Sequence, residues 1–190
     1  MGDAATDRAK AQSLPEGDVV RILLEQHAQI RDLFALIQAA PAAERKKPFD
    51  DLRALLAVHE TGEELVLRPQ ADDDAWKGVA HERNEEEREA NQVLADLEHL
   101  DPASEAFQEK LHQLQLAVDQ HAEAEEREEF PRALVALDVE ERRRLGSRLL
   151  AVEKMAPTHP HPSAAGSVAA QALTGPFAAM VDRVRDALSR

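Results

Sequence analysis

The stretches HETGEELVLRP (59–69) and HAEAEEREEFP (121–131) follow one pattern, H-x3-E-E-x4-P, and the fold must place both copies. In an α-helix, residues four apart lie about 40° apart around the axis and about 6 Å apart along it. His59 and Glu63 therefore share one helix face, as do His121 and Glu125. Each pair stands where the apolar period predicts leucine or valine, so both pairs are expected to point into a core.

Apolar residues at steps of three and four predict helices around the repeat. Four long helices with short links are typical of an up-down-up-down four-helix bundle. The sequence DVEE (138–141) predicts a capping box that opens a shorter helix, and an amphipathic segment ends the chain. We therefore expect an all-α fold, with the bundle at 17–135 and a C-terminal helical extension at 136–190. The long helices are predicted at about 18–37, 49–68, 76–99 and 101–130, with Pro69 and Pro131 ending the second and fourth.

The composition excludes several classes of protein. The formal net charge is −14, which repels phosphate backbones and anionic lipid headgroups, so we expect no nucleic acid and no membrane partner. No apolar run reaches the length of a membrane span or a secretory signal, which predicts a cytoplasmic protein. Cysteine is absent, so any metal must be held by nitrogen and oxygen.

The inward-facing polar residues predict a metal centre. His27, on the inner stripe of the first helix, joins the two His–Glu pairs. Buried carboxylates without a positive partner are costly, and dications remove that cost. A zinc ion needs only four ligands, so five or more indicate two ions or one six-coordinate ion. The alternative is that the Glu side chains reach solvent and the His side chains are ordinary core residues.

These residues resemble the hemerythrin-like proteins of the HHE cation-binding family. The matching segments are LLEQHAQIRDLF with His27, HETGEE with His59 and Glu63, and HAEAEEREEFP with His121 and Glu125. The resemblance implies a four-helix bundle holding two non-haem iron ions with an oxo or hydroxo bridge, the carboxylates of the second and fourth helices bridging them. Manganese and zinc suit the same donors. The tail beyond Met155 resembles extensions of actinobacterial members.

The third helix departs from the family pattern, which places a histidine there. His81 lies about 150° from the centre of the predicted inner face and should point outward. Spacing back from the apolar residues puts Glu87 at the family's histidine position, with Glu86 as the second candidate and His81 as the third. The predicted metal ligands are His27, His59, Glu63, Glu87, His121 and Glu125.

Three histidines and three glutamates make this centre richer in carboxylate than an oxygen carrier, which favours its oxidised state. We expect it to bind or react with O2, peroxide or NO, and catalase-like activity is one form of this. The alternatives are an oxidase or oxygenase acting on a small organic substrate, which needs an apolar cavity of several hundred cubic ångströms, and a sensor module whose folding depends on metal. The last helix is expected to pack on the bundle or to form a homodimer. Gly62 either leaves room for a ligand or eases helix packing.

Overall fold

The computed structural model describes residues 2–154, and all regular structure in this range is helical. The all-α prediction is confirmed, whereas the up-down-up-down arrangement stays a prediction. The amphipathic segment predicted at 176–188 lies outside the described residues. The helices are α1 (Ala4–Gln12), α2 (Val19–Ala39), α3 (Lys46–Gly62), α4 (Asp74–Leu97), α5 (Glu105–Ala124), α6 (Phe130–Ala136) and α7 (Val139–Glu153).

Side-chain caps fix where these helices begin. Asp18 accepts a hydrogen bond from the Val20 amide at 3.0 Å and starts α2, as predicted. The predicted capping box of α7 is present, because Asp138 and Glu141 each accept from the other's backbone amide. The predicted start of the fourth long helix at Asp101 is wrong. Ser104 caps that helix instead, with its hydroxyl oxygen accepting from the amide of the third helical residue.

Helix α1 was not predicted from the sequence. It is largely polar, and its buried residues are Asp7 and Ala11. Asp7 accepts a hydrogen bond from Arg31 Nε at 2.8 Å, and this ion pair fastens α1 against α2. The spacing of apolar residues did not predict α1, because ion pairs rather than an apolar face hold this helix in place.

Each copy of the repeated pattern continues into a short π-helical turn, Glu63–Leu67 after α3 and Glu125–Glu129 after α5. Each turn closes with a bond from residue i+5 to residue i: the Arg68 amide donates to the Glu63 carbonyl, and the Phe130 amide donates to the Glu125 carbonyl. In a π-helix residue i+5 returns to the face of residue i, whereas in an α-helix it would lie about 140° away. Arg68 and Phe130 are therefore brought to the face that carries Glu63 and Glu125.

The prolines act differently from the prediction at one of the two sites. Pro69 lies in a short 3-10 turn, Arg68–Gln70, after which the chain leaves the helix. Pro131 does not end a helix. It lies in the first turn of α6, where the missing amide hydrogen has no helical acceptor to lose.

Two apolar clusters lie on either side of the polar residues of the pattern. One contains Leu23, Leu67, Trp76 and Phe130, and the other contains Phe34, Phe49, Leu97 and Phe107. Along α2 the first cluster ends at Leu24 and the second begins at Ile30, with His27 between them. The predicted ligands of the other long helices also fall between these clusters along the chain. The packing therefore supports a polar layer inside the bundle.

Helix α7 packs on α2 and α3 through Leu145 and Leu149, both part of the first apolar cluster. A β-carbon on Gly62 would overlap the Leu149 Cδ1 methyl, so the absent side chain of Gly62 makes room for α7. Of the two interpretations of Gly62, the structure therefore supports helix packing. Among the described residues, no helix has the length and apolar character needed to cross a bilayer.

Candidate metal centre

The structure brings the six predicted ligand residues into two overlapping clusters. Within each cluster, one nitrogen or oxygen atom of every residue lies within 4.8 Å of the others. Glu63 and Glu125 belong to both clusters. A site for two neighbouring ions with shared carboxylates would have the same arrangement. We call them the histidine-rich half (His27, His59, Glu63 and Glu125) and the carboxylate-rich half (Glu63, Glu87, His121 and Glu125).

All three histidines are held by their Nδ1 atoms. These atoms lie 3.0 Å from Glu126 Oε1 for His27, 2.8 Å from Gln26 Oε1 for His59, and 2.9 Å from Glu86 Oε2 for His121. An oxygen acceptor on Nδ1 keeps a proton there, so Nε2 is the atom that offers a lone pair to a metal when the ring is neutral, an arrangement common around metal-bound histidine. Each Nε2 is directed at a shared carboxylate, at distances of 3.0 to 3.5 Å.

Buried nitrogen and oxygen atoms without a hydrogen-bond partner indicate whether these residues suit a metal. Buried polar atoms in proteins normally have a hydrogen-bond partner. Here several atoms at the centre have none: His27 Nε2, His121 Nε2, Glu63 Oε1, Glu87 Oε2 and Glu125 Oε2. They are imidazole nitrogens and carboxylate oxygens, the donors that iron, manganese and zinc accept. The donor set therefore fits divalent cations, while its assignment as ligands stays a prediction.

The pKa values at the centre show the effect of crowding charged groups in a buried place. Burial, followed by the charge of Glu125, raises the pKa of Glu63 well above its usual range. Burial would also raise the pKa of Glu125, but the positive charges of His121 and Arg68 contribute to holding it well below that range. Burial, followed by the charge of His27, lowers the pKa of His59 well below its usual value, so His59 is neutral with a free lone pair. A bound dication would offset the charge repulsion that raises the pKa of Glu63.

The three candidates of the third long helix have different surroundings. Glu87 is buried, and its Oε1 lies 3.4 Å from His121 Nε2, inside the carboxylate-rich half. Glu86 is partly exposed and accepts from His121 Nδ1 on the far side of the ring. His81 is exposed. The geometry thus places Glu87 among the candidate ligands and gives Glu86 a supporting contact.

Arg68 is the main residue of the site that the sequence analysis missed. Its guanidinium is buried among four carboxylates, with Nη1 2.5 Å from Glu87 Oε1 and Nη2 2.8 Å from Glu125 Oε1. Glu63 and Glu129 are the other two, at 3.4 and 3.5 Å. Burial tends to lower the pKa of Arg68, but these four charges outweigh it and raise the pKa well above its usual range. The available signal was Pro69, because a proline has no amide hydrogen and clashes with the carbonyl four residues back, so regular α-helical spacing is not expected at Arg68.

A small cavity lies against the centre and is lined by residues of α2, α3, α4 and α5. Its lining includes His27, His59, His121 and Glu87, together with apolar side chains such as Ile30. The volume that the midpoint of a water molecule can occupy in this cavity is about 20 Å³. A cavity of roughly 10–15 Å³ by this measure holds one water, so this one suits a ligand of two or three atoms. It is far below the several hundred cubic ångströms that an organic substrate needs.

A helical fold with buried histidine and carboxylate clusters defines a class of cation-binding helical proteins. The comparisons agree, because residues 18–133 match the model of the hemerythrin HHE cation binding domain. This match spans more than half of the chain, and the chain belongs to that family. A hemerythrin-like protein of Schizosaccharomyces pombe is 28% identical over 138 residues, covering 71% of this chain and 68% of the yeast protein. No solved structure matched the chain.

Proposed function

We propose that this protein holds two iron ions in its His/carboxylate centre and uses them to bind or react with O2, peroxide or NO. The observation that carries the proposal is the pair of clusters sharing Glu63 and Glu125. When bound, iron supplies a redox-active Lewis acid beside the small cavity. The family match supports cation binding, and the residues described above give its proposed location and number.

The protein's own residues have distinct tasks in this proposal. His27, His59 and His121 present Nε2 lone pairs, while Gln26 and Glu126 hold the first two rings through Nδ1. The buried walls exclude bulk water, so charges at the centre are screened weakly. The cavity size suits a diatomic molecule or a peroxide better than a larger group. The chain thereby sets which ligand reaches the centre.

Peroxide and NO suit this centre better than reversible O2 carriage. The centre offers three carboxylates and three imidazoles, and anionic oxygen donors favour the more positive oxidation state of a metal. The cavity size makes oxygenation of an organic substrate the weaker alternative. A protein that serves only as a sensor module would unfold when metal is removed, and a melt in a chelator would detect this.

The test is anaerobic reconstitution with ferrous iron, followed by iron analysis and rapid mixing with O2 or peroxide. We expect two iron ions per chain and conversion to the diferric state without a lasting band of an oxygen carrier. The double variant His59→Ala/His121→Ala serves as the matched control and should lose both ions. A wild-type protein that binds fewer than two ions, or that shows a stable reversible O2 band, would contradict the proposal.

A further inference from the structure

The two halves of the centre differ in charge although they share Glu63 and Glu125. The histidine-rich half is completed by two imidazoles, whereas the carboxylate-rich half is completed by His121 and by Glu87. With neutral imidazoles, as metal binding requires, the histidine-rich half offers two carboxylates and the other half offers three, so the carboxylate-rich half has one additional negative charge. A buried carboxylate of this kind needs a positive partner.

Arg68 supplies that partner within the chain. All three carboxylates of the carboxylate-rich half lie within 3.4 Å of its Nη atoms. A fourth carboxylate, Glu129, has both oxygens buried without a hydrogen-bond partner and lies 3.5 Å from Arg68 Nε. The guanidinium also donates to Asn84 Oδ1 at 2.8 Å, which fixes its orientation. Arg68 thus carries a permanent positive charge into this half.

The oxygens that Arg68 contacts are those that a cation in this half would use. Glu125 Oε1 lies 3.0 Å from His121 Nε2, and Glu87 Oε1 lies 3.4 Å from the same nitrogen. These two oxygens are also the ones nearest to Arg68. A cation placed beside His121 Nε2 must therefore share both oxygens with a guanidinium of like charge.

Arg68 reaches the histidine-rich half less closely. Its contact there is Glu63 Oε2, at 3.4 Å, whereas Glu125 faces His27 through Oε2 and faces Arg68 through Oε1. Arg68 and Phe130 both directly precede the proline of the repeated pattern. Phe130 stacks on the His27 ring, with the ring centroids 5.5 Å apart and the planes at 22°. The same position of the repeated pattern thus supplies a positive charge to one half and an aromatic ring to the other.

We propose that Arg68 is a positioning residue that serves as the counter-ion of the carboxylate-rich half before metal binds, so that the two halves take up cations in order. The histidine-rich half loads first, and the carboxylate-rich half loads second and more weakly, because its carboxylate oxygens are shared with Arg68. This inference rests on the proposed two-ion centre. It also implies that the metal-free protein stays folded, since Arg68 already balances part of the buried negative charge.

The experiment titrates metal-free protein with Zn²⁺ by calorimetry and follows thermal melting with and without zinc. For the wild type we expect two resolved steps, the second weaker by at least about tenfold. Arg68→Met should melt at a lower temperature without zinc, and its second step should tighten until the two affinities differ by less than about threefold. Glu87→Gln should lose the weaker step only, which assigns that step to its half.

Arg142→Met is the matched control, because Arg142 is also buried and pairs with the buried carboxylate of Asp18 at 2.7 Å, away from the centre. It should lower the melting temperature with or without zinc and leave both steps unchanged. If Arg68→Met folds only with zinc and then binds two ions in one step, the inference is supported as well. If it folds under neither condition, Arg68→Gln replaces it, with the same expected narrowing of the two steps.

Two outcomes overturn the inference. An Arg68 variant that keeps the wild-type separation between the steps would show that Arg68 does not affect loading. A variant that loses the second step would show that Arg68 only orients ligands and does not compete with the cation. A wild-type protein that binds fewer than two zinc ions would instead remove the proposed two-ion centre, so the failures of the two proposals are distinguishable.

Discussion

The segments 59–69 and 121–131 have the same backbone course but different surroundings. Both run from an α-helix into a five-residue π-helical turn that begins at the shared glutamate. They differ at the residue before the proline, which is Arg68 in one and Phe130 in the other. They differ also in the middle of the pattern, where Gly62 contacts α7 closely and the corresponding residue is Ala124.

This difference separates what the repeated residues do from what the variable ones do. The H-x3-E spacing and the π-helical turn place one imidazole in each half and one carboxylate that both halves share, so the two segments contribute alike to the centre. The residues between and after them make the halves chemically unlike, one lined by an aromatic ring and one by a guanidinium. Substitutions at the repeated and at the variable residues can therefore separate these contributions.

Replacing Phe130 by alanine should have the largest effect on stability. Phe130 is buried and stacks on His27, so the substitution opens a cavity and frees a candidate ligand. We expect a loss of about 3–5 kcal/mol in the free energy of unfolding, measured by denaturant titration. Phe49→Ala, in the other apolar cluster, is the control and should cost a similar amount while leaving Zn²⁺ affinity unchanged. Equal metal affinity in both variants would show that the Phe130 ring does not support His27.

Replacing Glu125 by glutamine should weaken both metal-binding steps, because this carboxylate belongs to both halves. We expect a loss of at least about 100-fold in affinity for each ion, or about 2.7 kcal/mol, measured by calorimetry with Zn²⁺. Glu128→Gln, three residues on and paired with its neighbour Arg127, should leave both steps intact. If Glu125→Gln lost only one ion, the shared role of Glu125 would be wrong.

Glu126 should make stability depend on acid pH. Burial would raise its pKa, but hydrogen bonds to His27 and Lys10 lower it from 4.5 to about 2. A lowered folded-state pKa means that the ionised form stabilises the fold above about pH 4.5, and that this stabilisation is lost as pH falls toward about 2. Glu126→Gln should therefore be less stable than wild type by on the order of 1–2 kcal/mol at neutral pH, with the difference shrinking below pH 4.5. A difference that stays constant across denaturant titrations from about pH 7 to about pH 3 would contradict this assignment.

Adding one methyl group at Gly62 should have the smallest effect. The new β-carbon overlaps the Leu149 side chain, and overpacking costs about 1–3 kcal/mol, of which improved helix propensity returns roughly 1. We expect Gly62→Ala to lower the melting temperature by a few degrees. Leu149→Ala provides space, so the double variant should lose less than the sum of the two single losses. Additive losses would show that the two side chains do not compete for the same space.

The long helices were predictable because a helix that buries one face carries apolar residues at steps of three and four in its sequence. The stripes that predicted α2 to α5 also showed where polar residues break them, and His27 and the two His–Glu pairs lie at those breaks. Glu87 was reached in the same way, by counting back from buried leucines. The assignment of all these residues as metal ligands stays a prediction that metal titration can test.

Other features have no periodic signal. Helix α1 is fastened by the pair Asp7–Arg31, which looks like two solvated charges in the sequence. Arg68 falls outside the inner stripe when α-helical spacing is assumed, and only the π-helical turn moves it inward. The start of α5 was predicted at Asp101, but the observed cap is Ser104, and capping propensity ranks Asp and Ser about equally.

Helix α7 reaches the centre from beyond the family-matched residues. The Gln26 amide nitrogen donates to Glu153 Oε1 at 2.7 Å, and its oxygen accepts from His59. Leu149, also on α7, packs against Gly62 of α3. A fragment cut at residues 18 and 133 would strip this cover, expose apolar core and release the amide that sets the His59 tautomer. Recombinant versions intended for metal work should therefore extend at least to Lys154.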